Sequence, residues 1–99
     1  MPREIVVPIT LTVAGGSGTQ DFTAWGTCRE IIVEPPGGNG DYYWEIIDSN
    51  GVTRANHDKK LKGKSVACIV NHFQDDTYTF RIYDTKNNGS WSARIVLTE

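Results

Sequence analysis

The sequence predicts an all-β fold, an antiparallel two-sheet sandwich of about seven strands. Three observations lead there. Apolar side chains recur at every second position along most of the chain, the period of a half-buried strand. The composition suits strands and turns: Val, Ile, Thr and aromatics are frequent, and ten Gly and four Pro stand against a single Met. Runs of Gly, Pro, Asn and Asp interrupt the alternation about every 8–15 residues. A single open sheet would leave the apolar faces wet, so two packed sheets are expected.

Residues 3–13 put Ile5, Val7, Ile9, Leu11 and Val13 on one face, opposite Glu4, Pro8, Thr10 and Thr12. Pro8 has no N–H to give a ladder, which places this strand at an edge or kinks it. Residues 14–26 read as a long flexible connection, with Phe22 and Trp25 either pinning it to the core or presenting a binding surface. A second strand spans 27–34. Its parity sends Ile31 and Val33 inward and Cys28 outward unless a bulge intervenes. Residues 35–40 stop it with two prolines and three glycines.

The third strand, 41–48, turns Tyr42, Trp44 and Ile46 to the core and Tyr43, Glu45 and Ile47 away from it. Asn50-Gly51 is a hairpin signal, because both residues tolerate positive φ. A short polar strand, 52–57, suits an edge. A basic connection, 58–64, leads to a fifth strand at 65–70. There Val66, Cys68 and Val70 share one face and Ala67 and Ile69 the other, so both sides are expected to be covered. A sixth strand, 77–84, carries Tyr78, Phe80 and Ile82. A second hairpin turn is expected at 85–89, followed by a seventh strand, 90–98, with Trp91, Ala93, Ile95 and Leu97 inward.

The 99 residues suit one domain, 1–99, burying roughly 65% of the unfolded surface. A deep active site would compete with that core for volume. The net charge of −2 gives no bulk attraction to nucleic acid or to an anionic membrane. No apolar run approaches the roughly 20 residues of a membrane span. Met1-Pro2-Arg3-Glu4 lacks the basic and apolar regions of a signal peptide, so use without export is expected. Cys28 and Cys68 do not make a disulfide framework, and their pairing stays open.

The run Asp75-Asp76-Thr77-Tyr78-Thr79-Phe80-Arg81-Ile82-Tyr83-Asp84, followed by Asn88-Gly89 and a last strand, resembles the closing hairpin of immunoglobulin-like domains, including PKD-type bacterial and viral modules. The resemblance implies that Tyr78 forms a corner hydrogen bond to the backbone and that Trp44 is the core tryptophan of the third strand. Phe80 stands where antibody domains carry a cysteine, and Glu45-Ile46-Ile47 replaces the glycine-rich PKD motif. A jelly-roll topology is the alternative.

Chemistry-bearing residues are few. His57 and His72 stand in no catalytic motif, and no Gly-x-Ser-x-Gly occurs. Cys68-x3-His72, with Cys28 and His57, lacks the paired knuckles of zinc modules. Asp48-Ser49-Asn50-Gly51 opens like a calcium loop without its terminal acid, and reads as a turn. Asp75 with Asp76, or Asp84 with Asn87, is a loose calcium alternative. Glu30 and Glu34 share one strand face but flank no cleft. Lys59, Lys60, Lys62 and Lys64 lack interleaved aromatics and read as edge protection. No enzyme, metal or cofactor is therefore expected.

The remaining aromatics, Phe22, Trp25, Tyr43 and Tyr83, are the expected contact residues, since Trp and Tyr concentrate at interfaces. The expectation is a structural interaction module, a phage virion decoration or tail-associated protein. It would bind capsid or tail subunits, or itself as a homo-oligomer, through loops, its edge strand and these aromatics. The alternative is a carbohydrate-binding or adhesion module of a secreted, cell-surface protein, with a glycan as partner.

Overall fold

A computed structural model describes residues 3–38, 40–57 and 59–98, without the side chains of Ile69, Val70 and Asp75. Expectations for Asn39 in its turn, for Asp58, for the facing of Ile69 and Val70, and for Asp75 in a calcium pair lie outside the described residues. The strands are β1 (Glu4–Val13), β2 (Gly18–Glu34), β3 (Asp41–Ile47), β4 (Thr53–Asn56), β5 (Leu61–Lys62), β6 (Ser65–Tyr83) and β7 (Gly89–Thr98). A 3-10 turn, Pro36–Gly38, separates β2 from β3.

All the described pairings are antiparallel, in the order β1-β7-β2-β6-β3-β4, with β5 beside β3. Two strands are long enough to serve both sheets. The second half of β2 lies between β7 and the first half of β6, and its first half runs beside the second half of β6, which pairs with β3. The result is a first sheet β1-β7-β2-β6 and a second sheet β2-β6-β3-β4, closed over one core. This is the jelly-roll pairing. The closing hairpin implied by the immunoglobulin resemblance is absent: β7 pairs with β1 and β2 rather than β6, so residues 84–88 cross between sheets. The Tyr78 bond that the resemblance implied does form, its hydroxyl donating to the Gln74 carbonyl at 2.7 Å.

The long strands correct two boundaries. Residues 18–26 are strand, not loop, and only Ala14–Ser17 turns. The fifth and sixth expected strands are the single β6. Bulges make this work. A register shift between Cys28 and Glu30 moves the inward set of β2 from even positions (Phe22, Ala24, Cys28) to odd ones (Ile31, Val33). The shift opposite Ala24 and Gly26 likewise moves β6 from odd (Ala67, Phe73) to even (Tyr78, Phe80, Ile82). Without those extra residues each strand would turn half of its apolar side chains to water.

The core joins Ile9, Leu11 and Val13 of β1, Tyr42, Trp44 and Ile46 of β3, and Trp91, Ala93, Ile95 and Leu97 of β7 to those inward sets. Cys28 is fully buried, against its outward parity, and burial pushes its thiol up to about 11. Cys68 is exposed on the outside of β6, against the expectation of a strand covered on both sides. A thiol reagent at pH 8 should therefore modify one cysteine in the native protein and both in denaturant. Rapid native modification of Cys28, read by peptide mass, would contradict this core.

Candidate functional site

The two outer faces differ sharply, and the difference is readable in the registers. On the second sheet, β6 presents Thr77, Thr79, Arg81 and Tyr83, and β3 presents Tyr43, Glu45 and Ile47. Polar pairs tie this face together. Arg81 Nη1 meets Glu45 Oε1 at 3.0 Å, and the Thr79 hydroxyl donates to Asp21 at 2.7 Å. Tyr43 and Tyr83 are cross-strand neighbours stacked on each other, centroids 5.5 Å apart and planes 19° apart. Arg81 lies 4.5 Å from the Tyr83 centroid and Lys60 5.9 Å from that of Tyr43. Both rings thus already have an aromatic and a cationic neighbour, which competes with stacking on a flat ligand.

The first sheet is different. Its outward residues form two adjacent rows across all its strands. One row is Val6–Val96–Glu30–Cys68, and the next is Pro8–Arg94–Ile32–Val66. Val6 and Val66 are 47% and 54% exposed, two of the most exposed large apolar side chains described. A shallow depression of about 380 Å3 lies between Pro8, Ile32, Glu34 and Arg94. At its border Glu34 holds Lys64 at 3.3 Å and Arg94 at 3.6 Å. In a monomer these apolar residues stay in contact with water.

The expected contact residues are not brought together. Phe22 is a core residue, 8% exposed and stacked on Tyr78 at 5.8 Å, because the segment holding it is a strand. Trp25 is exposed and stands at the register shift between Ala24 and Gly26. Tyr43 and Tyr83 adjoin one another on the second sheet.

No group of three or more metal-ligating side chains forms among the described residues. Cys28 is in the core while Cys68 points outward, so neither a bridge between them nor the four-residue zinc set is assembled. Asp48 Oδ1 accepts from the backbone N–H groups of Asn50 and Val52, both at 2.9 Å, which is a turn. The Ser49 hydroxyl and the Thr77 N–H bond to Asp76 and hold its carboxyl below the usual range. Asp84 meets Lys60 at 3.5 Å. The lysines of 59–64 therefore diverge, Lys60 to Asp84 and Lys64 to Glu34. A cleft of about 510 Å3 at one end of the sandwich is lined by Gly40, Asp41, Lys60, Lys86 and Asn87.

The apolar face leaves a signal in the sequence. Ile5-Val6-Val7, Ile31-Ile32-Val33 and Ile95-Val96-Leu97 are apolar triplets inside alternating strands. In each, the middle residue faces outward, and the pairing aligns Val6, Val96 and Ile32 on one surface.

No family model matches the chain, and no curated protein matches it. Among solved structures, it is similar to the pre-peptidase C-terminal domain of a collagenase from Bacillus anthracis. The TM-score is 0.48 at 13% identity, over 94% of this chain and 88% of that one. It is similar to a chain of infectious bursal disease virus, Gx strain, with a TM-score of 0.45 at 14% identity. That match covers 100% of this chain but 32% of the viral one, so this chain spans about a third of it. A carbohydrate-binding module, CBM36, in complex with calcium and xylotriose gives a TM-score of 0.42 at 13% identity, over 96% and 87%. All three scores lie below 0.5, and the likeness carries no argument about this chain.

Proposed function

We propose that the protein is a non-enzymatic interaction module that docks onto a protein assembly, as a virion decoration or tail-associated subunit does, through the outer face of its first sheet. One observation carries this reading: the two outer faces are unequal. One is polar and internally paired. The other aligns Val6, Pro8, Ile32, Val66 and Val96 in adjacent rows with half-buried or exposed side chains. Contiguous apolar surface rimmed by charge is the signature of a protein interface.

Pro8 argues for the face over the edge. In a strand whose ladder to β7 continues on both sides of it, proline is tolerated where its nitrogen points away from the partner. It thus removes a donor from the free edge of β1 and opposes strand addition there. The glycan reading is less well supported, because Phe22 is in the core and the Tyr43–Tyr83 pair already has ring neighbours.

The test is co-sedimentation with purified phage capsid and tail particles. Wild type should pellet with the particles, and V66K and V6K, folded by circular dichroism, should stay in the supernatant. Binding that survives both substitutions would remove the reading. So would specific retention of wild type and both variants alike on a glycan array.

A further inference from the structure

We infer that the first-sheet face is built to pack against a second copy of this chain, around a two-fold axis lying in the face. The inference rests on the docking surface proposed above and names what covers that surface in the free protein, a second copy that the assembly displaces on docking. It follows from where the register places charge. Val6 and Val96 lie in one row on β1 and β7, and Ile32 and Val66 lie in the next row on β2 and β6. Together they make an apolar diagonal across the sheet. The two remaining central positions are Arg94 on β7, on one side of that diagonal, and Glu30 on β2, on the other.

A two-fold axis along the diagonal lays the apolar line of one copy on that of its partner. The same operation places Arg94 of each copy over Glu30 of the other. An isologous interface demands this property: the patch must be its own complement. A patch with both charges of one sign would repel its own image. Here the acid and the base are balanced about the axis, and each pair is made twice.

Glu30 supplies the second argument. It sits among Val96, Ile32 and Cys68, and it makes no ion pair among the described residues. Arg94 has Glu34 as neighbour at 3.6 Å, a long contact, and its side chain is half-exposed. A second copy gives the isolated acid its partner.

The available area agrees. Four strands spaced about 4.8 Å and about eight residues long, at about 3.3 Å each, offer on the order of 500 Å2 per copy. The dimer then buries about 1,000 Å2, the lower bound for a specific interface. A weak, concentration-dependent dimer is expected, not an obligate one.

The experiment is sedimentation equilibrium of the full chain in reducing buffer, which keeps Cys68 from cross-linking copies. Wild type should show reversible dimerisation. E30R and R94E should each weaken it at least tenfold, because each faces like charge across the axis. The double variant E30R/R94E should regain the wild-type constant within about threefold, since the swap restores both pairs with inverted sign. Circular dichroism melts confirm that all three variants fold. Monomeric wild type at about 200 µM, a hundredfold or more above a micromolar constant, overturns the inference. Dimerisation indifferent to E30R, or a double variant no better than the singles, overturns it as well. Each of these leaves particle binding by wild type, lost in V66K, as a separate result that judges the docking surface itself.

Discussion

Replacing Trp91 by Phe is expected to destabilise the fold by about 1–3 kcal/mol more than the same replacement at Trp44. Both indoles are fully buried, and both changes delete the same atoms, so the loss of burial and the cavity left behind are alike in kind. The difference lies at one nitrogen. Trp91 Nε1 donates to the Asn87 carbonyl at 2.9 Å. Asn87 also anchors the crossover, its side-chain amide donating to the Pro36 carbonyl at 3.1 Å and its N–H to the Thr85 hydroxyl at 3.2 Å. W91F takes the indole donor from that cluster. Trp44 Nε1, by contrast, has no hydrogen-bond partner among the described residues. W44F removes a buried donor that is already unsatisfied, and that relief offsets part of its cavity cost.

Urea titration of the two variants reads the difference directly. The W91F midpoint should fall well below that of W44F at a similar slope. Equal midpoints would show that the Asn87 bond contributes nothing net. The result bears on the apolar face as well as the core. Trp91 lies near the start of β7, which the crossover delivers between β1 and β2, and that strand carries Arg94 and Val96 to the centre of the apolar face.

Much of the fold is legible in the sequence, and what is not has local causes. Strict alternation located β1, β3 and β7 within about a residue or two, because each keeps one parity from end to end. Asn50-Gly51 located the β3–β4 hairpin through its tolerance of positive φ. The long strands failed for one shared reason. A bulge changes parity in mid-strand, so a period-two reading ends one segment and begins another. Gln20, Asp21 and Gly26 made residues 18–26 look like loop, although Phe22 and Ala24 alternate inward. His72, Gln74 and Asp76 similarly hid the continuity of β6 around buried Phe73.

The topology of the last strand was legible only as an alternative. Asn88-Gly89 is equally good at turning a hairpin and at letting the chain cross between sheets, and long-range pairing decides which. In the sequence, the aromatics point to a contact surface, because they are frequent at interfaces. Phe22 went to the core, and the two tyrosines went to each other. The apolar face instead announces itself by doubled aliphatics, and those become a surface only when the register aligns Val6, Val96 and Ile32.

Gly18→Ala is expected to cost about 3 kcal/mol, the upper range for overpacking. A Cβ there would stand 2.3 Å from the Thr12 carbonyl oxygen, 3.0 Å from the Thr12 carbonyl carbon and 3.2 Å from Val13 Cα. All three are backbone atoms of β1, so no side chain can swing aside. β1 cannot retreat, because its ladder to β7 runs unbroken from Glu4 to Val13. Nor does the turn offer slack, since Ala14 and Ser17 close it with bonds of 3.1 and 3.5 Å. Gly51→Ala is the control. Its φ of 80° carries the left-handed penalty of about 1–2 kcal/mol, but nothing lies within 4 Å of the added carbon. Thermal melts should therefore place G18A below G51A. The reverse order would show that β1 slides along β7 to make room. Such a slide by one residue would also turn Val6 and Pro8 inward and dismantle the apolar face, so the steric demand at Gly18 and the register of that face stand or fall together.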